Sequence, residues 1–286
     1  RQRQMCIRDR AGKGWPYMAE MTWQEVEDFL SKHDTVVIPV GSCEQHGPHL
    51  PLDTDTYDAL WISLRAAEKA GCALVAPPIT YGVSYHHSAF KGTVSISPET
   101  LMKLAYEVGM SLVKQGFRKI VFENGHGGND PALRAAAQMI KAERPDVVVV
   151  VDTVGLVPDL IEDLIETPYD AHAGEFETST SLANRPELVR EERIPRAEVR
   201  LPPVKYMRIG LKAKGPKVYW AIRTDELSNV GVIGDAMKAS RDKGERFLKA
   251  MVDRLAELLK ELDEAMMRFH EPHHTVLRIL RFLPTF

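Results

Sequence analysis

The sequence predicts an α/β fold: a parallel sheet covered by helices on both faces. Three observations carry this reading. Short apolar runs alternate with stretches of helical periodicity through the first half of the chain. The runs are near-continuous valine and isoleucine rather than alternately apolar and polar, as strands buried on both sides require. Helix-start signals stand among the runs, at Thr22 with Glu25 three residues on, and at Ser97-Pro98.

Taken in order, the capping-box pattern of Thr22 and Glu25 predicts a helix over Trp23 to Lys32. Thr35 to Val40, TVVIPV, is a buried strand. Gly41 to Thr54 is polar and rich in Gly, Pro and His, hence a loop, and Thr56 to Ala70 is helical, with Leu60, Ile62, Leu64 and Ala67 on its apolar positions. Ala73 to Ala76 is a second strand, stopped by Pro77-Pro78. An irregular stretch runs to Ser97, the cap of a helix that Gly116 ends. Lys119 to Phe122 is a third strand, Pro131 to Ala142 a helix, and Asp146 to Val151, nearly all valine, a fourth strand. Leu201 to Tyr219 is expected as strand and turn, and Asp235 to about Met267 as a long amphipathic helix.

Composition narrows the function. Net charge is −3, which points to neither nucleic acid nor an anionic membrane as partner. No apolar run reaches the roughly 20 residues of a membrane helix. Cys6, Cys43 and Cys72 are too few and too scattered for a disulfide framework, so a cytoplasmic setting is expected. Arg1 to Arg10, RQRQMCIRDR, carries four arginines and no apolar period. Residues 1–17 are therefore expected to be a disordered or non-native extension, 18–267 the catalytic domain and 268–286 a C-terminal tail.

Three clusters carry chemistry. Glu44-Gln-His46-Gly-Pro-His49-Leu-Pro-Leu-Asp53-Thr-Asp55 places two imidazoles and three carboxylates directly after a strand, where α/β sheets form their binding crevice. A catalytic divalent metal wants such nitrogen and oxygen ligands. Glu44 and His46, two apart, project to the same side of an extended segment. The bland alternative is a solvated loop with Asp53 or Asp55 as helix N-cap. Asn124-Gly-His126-Gly127-Gly128-Asn129 also follows a strand, and its glycines suit close backbone approach to a ligand. His172-Ala-Gly-Glu175-Phe-Glu177-Thr-Ser179 again sets an imidazole beside two carboxylates, a source of the acid or base that a departing amine needs; alternatively the two glutamates favour a helix dipole.

Together the clusters resemble the creatininase (creatinine amidohydrolase) family, whose motifs read approximately E-Q-H-G-P-H-L-P-x-x-T-D, N-G-H-x-x-N and H-A-G-x-x-E-T-S. The resemblance covers about Met21 to Leu262 and includes Tyr81-Gly-Val-Ser84, Phe90-Lys-Gly-Thr93 and Gly231-Val-Ile-Gly-Asp235. It implies a three-layer α/β/α domain with a mainly parallel central sheet, two divalent metal ions per chain (zinc, manganese or iron), and a homo-oligomer, a hexamer by the family's habit. Glu44, Asp55 and His126 would hold one metal, and His46 and Asp55 the other, with Asp55 bridging. A metal-activated water would be the nucleophile and His172 the proton donor, on a small-molecule amide or cyclic amide. Alternatives are hydrolysis of a C–C bond in a cyclic polyol ketone, or a non-catalytic metal-binding relative.

Two departures from the family pattern stand out. Creatininases proper read H-Y-E where this chain has His126-Gly127-Gly128, so the second metal lacks an acidic ligand. Glu175 is the expected replacement, with Glu177 next, and both are candidates for acid–base work. Trp15, Trp23, Trp61 and Trp220 lie away from the third motif, which argues against creatinine itself as substrate. Tyr81, Ser84, His87, Gly127 and Gly128 are expected to line the substrate pocket. His49 is expected to support ligands, Cys43 to be a packing residue, and His86, His273 and His274 to lie at the surface.

Overall fold

Alternation along the strands divides the core in two. Val36, Ile38, Val40, Ile120 and Phe122 face one layer; Val37 and Val121, on the intervening positions, face the other. The computed structural model describes residues 15–215 and 217–269. Its strands β1 (Thr35–Val40), β2 (Ala73–Val75), β3 (Lys119–Asn124) and β4 (Val148–Asp152) pair in parallel in the order β2-β1-β3-β4.

One face is covered by α3 (Pro98–Gln115) and α4 (Asp130–Glu143), with α1 (Trp23–Leu30) at its margin. The other is covered by α2 (Thr54–Ala70), α5 (Pro158–Leu164), α6 (Glu175–Asn184) and α8 (Arg241–Phe269), with the short α7 (Thr224–Leu227) outside the core clusters' centre. This is the three-layer α/β/α arrangement that the resemblance implies. Fully buried Phe117, Phe122 and Phe247 anchor the layers, each contributing roughly 2–3 kcal/mol by burial.

The local signals hold at α1 and α3. The backbone N–H and hydroxyl of Thr22 both donate to Glu25, and Ser97 accepts from the Thr100 N–H. Gly71 closes α2 at φ 75°, a left-handed conformation that favours glycine. Other expectations are corrected. Among its described residues, Leu201 to Tyr219 contains no strand, because Pro202 and Pro203 lack ladder donors and Gly210 and Gly215 turn the chain at φ 111° and 82°. The long helix begins at Arg241: the Asp235 carboxylate instead accepts the Met237 N–H and caps a 3-10 turn, Ala236–Lys238. The valine strand β4 is only half-buried, as the sheet's edge. Residues 15–17, assigned to the extension, join the sheet margin, where the Pro16 carbonyl accepts the Val75 N–H and Tyr17 bridges to Val75. Residues 1–14 and most of the C-terminal tail lie outside the described residues. Among those described, no helix is long and apolar enough to cross a membrane.

The topology locates the crevice. From β1 the chain runs to β2 on one side, then returns to β3 on the other, so the loops after β1 and β3 part at a switch point. The first turn of α2 docks at these strand ends. A Cβ at Gly125 would sit 2.2 Å from the Asp55 carbonyl oxygen, and one at Gly41 would sit 2.3 Å from Thr56 Oγ1. Only glycine permits that approach.

Candidate metal centre

Five segments converge at this switch point. The loop after β1 supplies Glu44 and His46, the first turn of α2 supplies Asp55, and the loop after β3 supplies His126. His172 is held by an antiparallel bridge to Ile233, and Glu177 stands in the first turn of α6. Glu44 and His46 are wholly buried, and Asp55, His126 and His172 nearly so.

Backbone carbonyls orient the imidazoles. His46 Nδ1 lies 3.1 Å from the Glu44 carbonyl, His126 Nε2 3.0 Å from the Val83 carbonyl and His172 Nε2 2.7 Å from the Gln45 carbonyl. A carbonyl only accepts, so each of those nitrogens carries a proton and the opposite one faces inward, where a metal could replace its proton. His46 Nε2 is 3.0 Å from Asp55 Oδ1 and 3.8 Å from Glu177 Oε2. His126 Nδ1 is 3.2 Å from Glu44 Oε1 and 3.3 Å from Asp55 Oδ2. Ligands at metal-bonding distance from one ion stand roughly 3–3.6 Å apart, so this spacing suits coordination. Asp55 offers one oxygen to each histidine, as a bridging carboxylate must.

Two further observations fit a cation here. Glu44 Oε1 and Asp55 Oδ2 are buried without a hydrogen-bond partner. Burial opposes protonation of His46 and His126, yet the surrounding carboxylates outweigh it, raising His46 to about 10 and His126 well above its ordinary value. Such a field calls for positive charge, which divalent ions would supply. His46, Asp55 and Glu177 place ligand atoms within 4.8 Å of one another, as do Glu44, His86 and His126.

The other expected residues divide. Glu175 is not brought to the cluster: it is wholly buried, its Oε2 accepts the N–H groups of Glu166 and Thr167 and the Thr167 hydroxyl, and Lys243 pairs with its Oε1. Glu177 faces the site instead, held by the Ala173 N–H, which the positive φ of Ala173 (48°) aims at its Oε2. Tyr81 is half exposed and does not line the cavity described below. Ser84 buttresses Glu44 rather than lining the cavity, donating to its Oε2 while Ser42 donates to Ser84. His87 is buried with Nε2 3.4 Å from Glu44 Oε1. Gly127 borders open space, whereas a Cβ at Gly128 would meet the Val83 carbonyl at 2.3 Å. His49 supports the frame through Thr178 Oγ1, 2.8 Å away.

Sequence reasoning missed His86, which stacks on His126 at 5.4 Å with 7° between the rings, rather than lying free at the surface. It also missed Gln45, whose amide donates to the Gly231 carbonyl and accepts from the Gly47 N–H. The run Tyr85-His86-His87 was the available signal: as a 3-10 turn it sends successive side chains to different faces.

A cavity of about 160 Å³ adjoins the centre. Asp55, His172 and Glu177 form its metal-side wall, and Ala59, Ile62, Phe176, Leu211 and Met251 give it apolar walls. Burial raises Glu177 to about 8, against the pull of His46, and raises Glu123 at the cavity's edge well above the carboxylate range. Burial also lifts Asp170, 1% exposed, to about 6, although the Phe176 and Glu175 N–H groups oppose it. Folded protein therefore keeps a proton on Asp170 that the unfolded chain releases from pH 4 upward, so stability falls as pH rises toward 6. In metal-free protein, the stability lead of wild type over Asp170→Asn should shrink by about 2 kcal/mol between pH 4 and 7. Urea unfolding across that range measures it, and a lead that grows with pH would contradict the burial.

A family model for creatinine amidohydrolase (creatininase) matches residues 19–259. The chain is 40% identical over 236 residues to the mycofactocin precursor peptide peptidase of Mycolicibacterium smegmatis, covering 79% of this chain and 84% of the relative. It is 31% identical to the 3-dehydro-scyllo-inosose hydrolase of Thermotoga maritima, covering 87% and 84%. The crystal structure of creatinine amidohydrolase superposes with a TM-score of 0.73 at 28% identity, over 87% of this chain and 98% of that one. Solved creatininases with similar scores include a zinc–zinc form and a manganese form.

Proposed function

This chain belongs to the creatininase family of hydrolases, and on that premise we propose that it hydrolyses an amide bond at a two-metal centre. The observation that carries the proposal is the pair of orphaned, buried oxygens, Glu44 Oε1 and Asp55 Oδ2, facing inward-turned imidazole nitrogens. Glu44, Asp55 and His126 would hold one ion, and His46, Asp55 and Glu177 the other. The ions, zinc or manganese as in the solved creatininases or iron, polarise a carbonyl and lower the pKa of water when bound.

The chain's own groups do the rest. His172, its Nε2–H fixed on the Gln45 carbonyl, presents Nδ1 between Glu44 and Glu177, 3.6 and 3.9 Å away. There it takes a proton from water and returns it to the departing nitrogen. The apolar cavity receives the substrate's other arm and excludes water from the reacting carbonyl. The peptidase relative favours a peptide-type amide over a cyclic one. A second reading, C–C hydrolysis of a ring ketone, is favoured by the inosose hydrolase relative, and would call for a pocket lined by hydroxyl partners.

The test combines metal analysis with turnover on peptide, formyl and cyclic amides. Wild type should hold two ions per chain and hydrolyse at least one class. Glu177→Gln should drop to about one ion and lose activity about 100-fold or more, while Glu175→Gln keeps both ions. The converse pattern would hand the ligand role to Glu175, and metal-free wild type would end the proposal.

A further inference from the structure

The cavity beside the candidate metal centre holds a carboxylic acid with one oxygen that no group among the described residues satisfies. Glu123, next to last on β3, is 6% exposed, and its Oε2 has no hydrogen-bond partner. Strand alternation sends Phe122 into one layer and Glu123 into the other, with Val121, where the cavity lies. The remaining acids of the wall are either hydrogen-bonded or part of the candidate metal centre. Asp58 accepts from the Thr180 hydroxyl and the Asn184 amide, Asp170 caps α6, and Asp55 and Glu177 face the metals. Across the ladder from Glu123 stands another acid, Asp152, whose Oδ1 is taken by the Gly155 N–H. Among the described residues the wall thus carries five carboxylic acids and neither lysine nor arginine.

A buried acceptor with no donor costs stability, and a buried negative charge costs more unless a cation answers it. Such a residue persists where a ligand brings the missing partner. Resting on the amidohydrolase reading, we propose that Glu123 is a specificity-determining residue that receives an ammonium or guanidinium group, carried by the substrate on a short apolar arm. The apolar walls fit the arm, and the uniform sign of the lining selects the charge.

The test is calorimetric binding of n-propylammonium and n-propylguanidinium chloride to metal-loaded protein, with n-propanol as neutral control, for wild type and Glu123→Gln. Wild type should bind at least one cation ten-fold or more tightly than propanol. Glu123→Gln should erase that preference with metal content unchanged and a thermal midpoint equal or higher, since the amide has no charge to bury. Equal cation binding by the variant, or no cation preference in wild type, overturns the proposal. So does a lowered midpoint, which would mean that the fold itself uses the carboxylate. Amide turnover on the same samples separates the two readings. Cation binding as expected without any turnover supports the Glu123 site and overturns the amidohydrolase assignment.

Discussion

Asp55→Ala should release both metals and lower kcat/KM by about 10⁴-fold or more, the 5–6 kcal/mol that Lewis-acid stabilisation of a transition state supplies. Asp55 is unique in offering one oxygen to each half of the centre, Oδ1 at 3.0 Å from His46 and Oδ2 at 3.3 Å from His126. On the proposed assignment, losing Glu44 or His46 would remove a ligand from one ion, whereas losing Asp55 would remove one from each. In metal-free protein the same carboxylate is a counter-charge shared by both imidazoles, the main one for His46 and second to Glu44 for His126. The variant should therefore also lose stability when stripped of metal. Metal per chain by mass spectrometry, with initial rates on the best amide, measures the effect. Two ions retained with wild-type turnover would remove Asp55 from the centre.

Lys243→Met should destabilise the protein by about 3–5 kcal/mol and leave metal content unchanged. Glu175 is wholly buried, one of its oxygens occupied by backbone N–H groups and the Thr167 hydroxyl. Lys243 Nζ, 2.5 Å from the other oxygen and 2.7 Å from Glu166, supplies its only neutralising charge among the described contacts. Methionine keeps the stem's packing and strands the carboxylate. Adding Glu175→Gln to Lys243→Met should recover part of the loss, and that coupling in a double-mutant cycle separates an ion pair from simple packing. Denaturation midpoints read the stability. Loss of metal in Lys243→Met would mean that this pair reaches the centre after all.

The Lys243 prediction concerns neighbouring glutamates that the sequence ranked the other way, Glu175 ahead of Glu177. In H-A-G-E-F-E both stand within reach of His172 along the chain. On a helix, two residues apart means about 200° of rotation, so Glu175 and Glu177 must face opposite ways. Which of them faces the cluster depends on how α6 is docked, with Asp170 capping it and Lys243 of α8 on the far side. The same holds for the stretch after β2. Tyr81 remains exposed while His86 and His87 turn toward His126 and Glu44, because a 3-10 turn no motif announces sets their direction.

What is legible in the chain alone is whatever short-range chemistry decides. The valine and isoleucine runs specify buried strands, Thr22 with Glu25 and Ser97 with Pro98 start helices, and three compact motifs announce Glu44, His46, Asp55, His126 and His172 as one centre. Each is a matter of neighbours within a dozen residues, where spacing and propensity act directly. Tertiary structure alone decided the edge position of β4, the absence of strand in Leu201 to Tyr219, the choice of Glu177 over Glu175 to face the cluster, and the isolation of Glu123. Those outcomes turn on which distant segment lies opposite, and a buried carboxylate's role is set by the donor it meets across the fold rather than by the residues beside it in sequence.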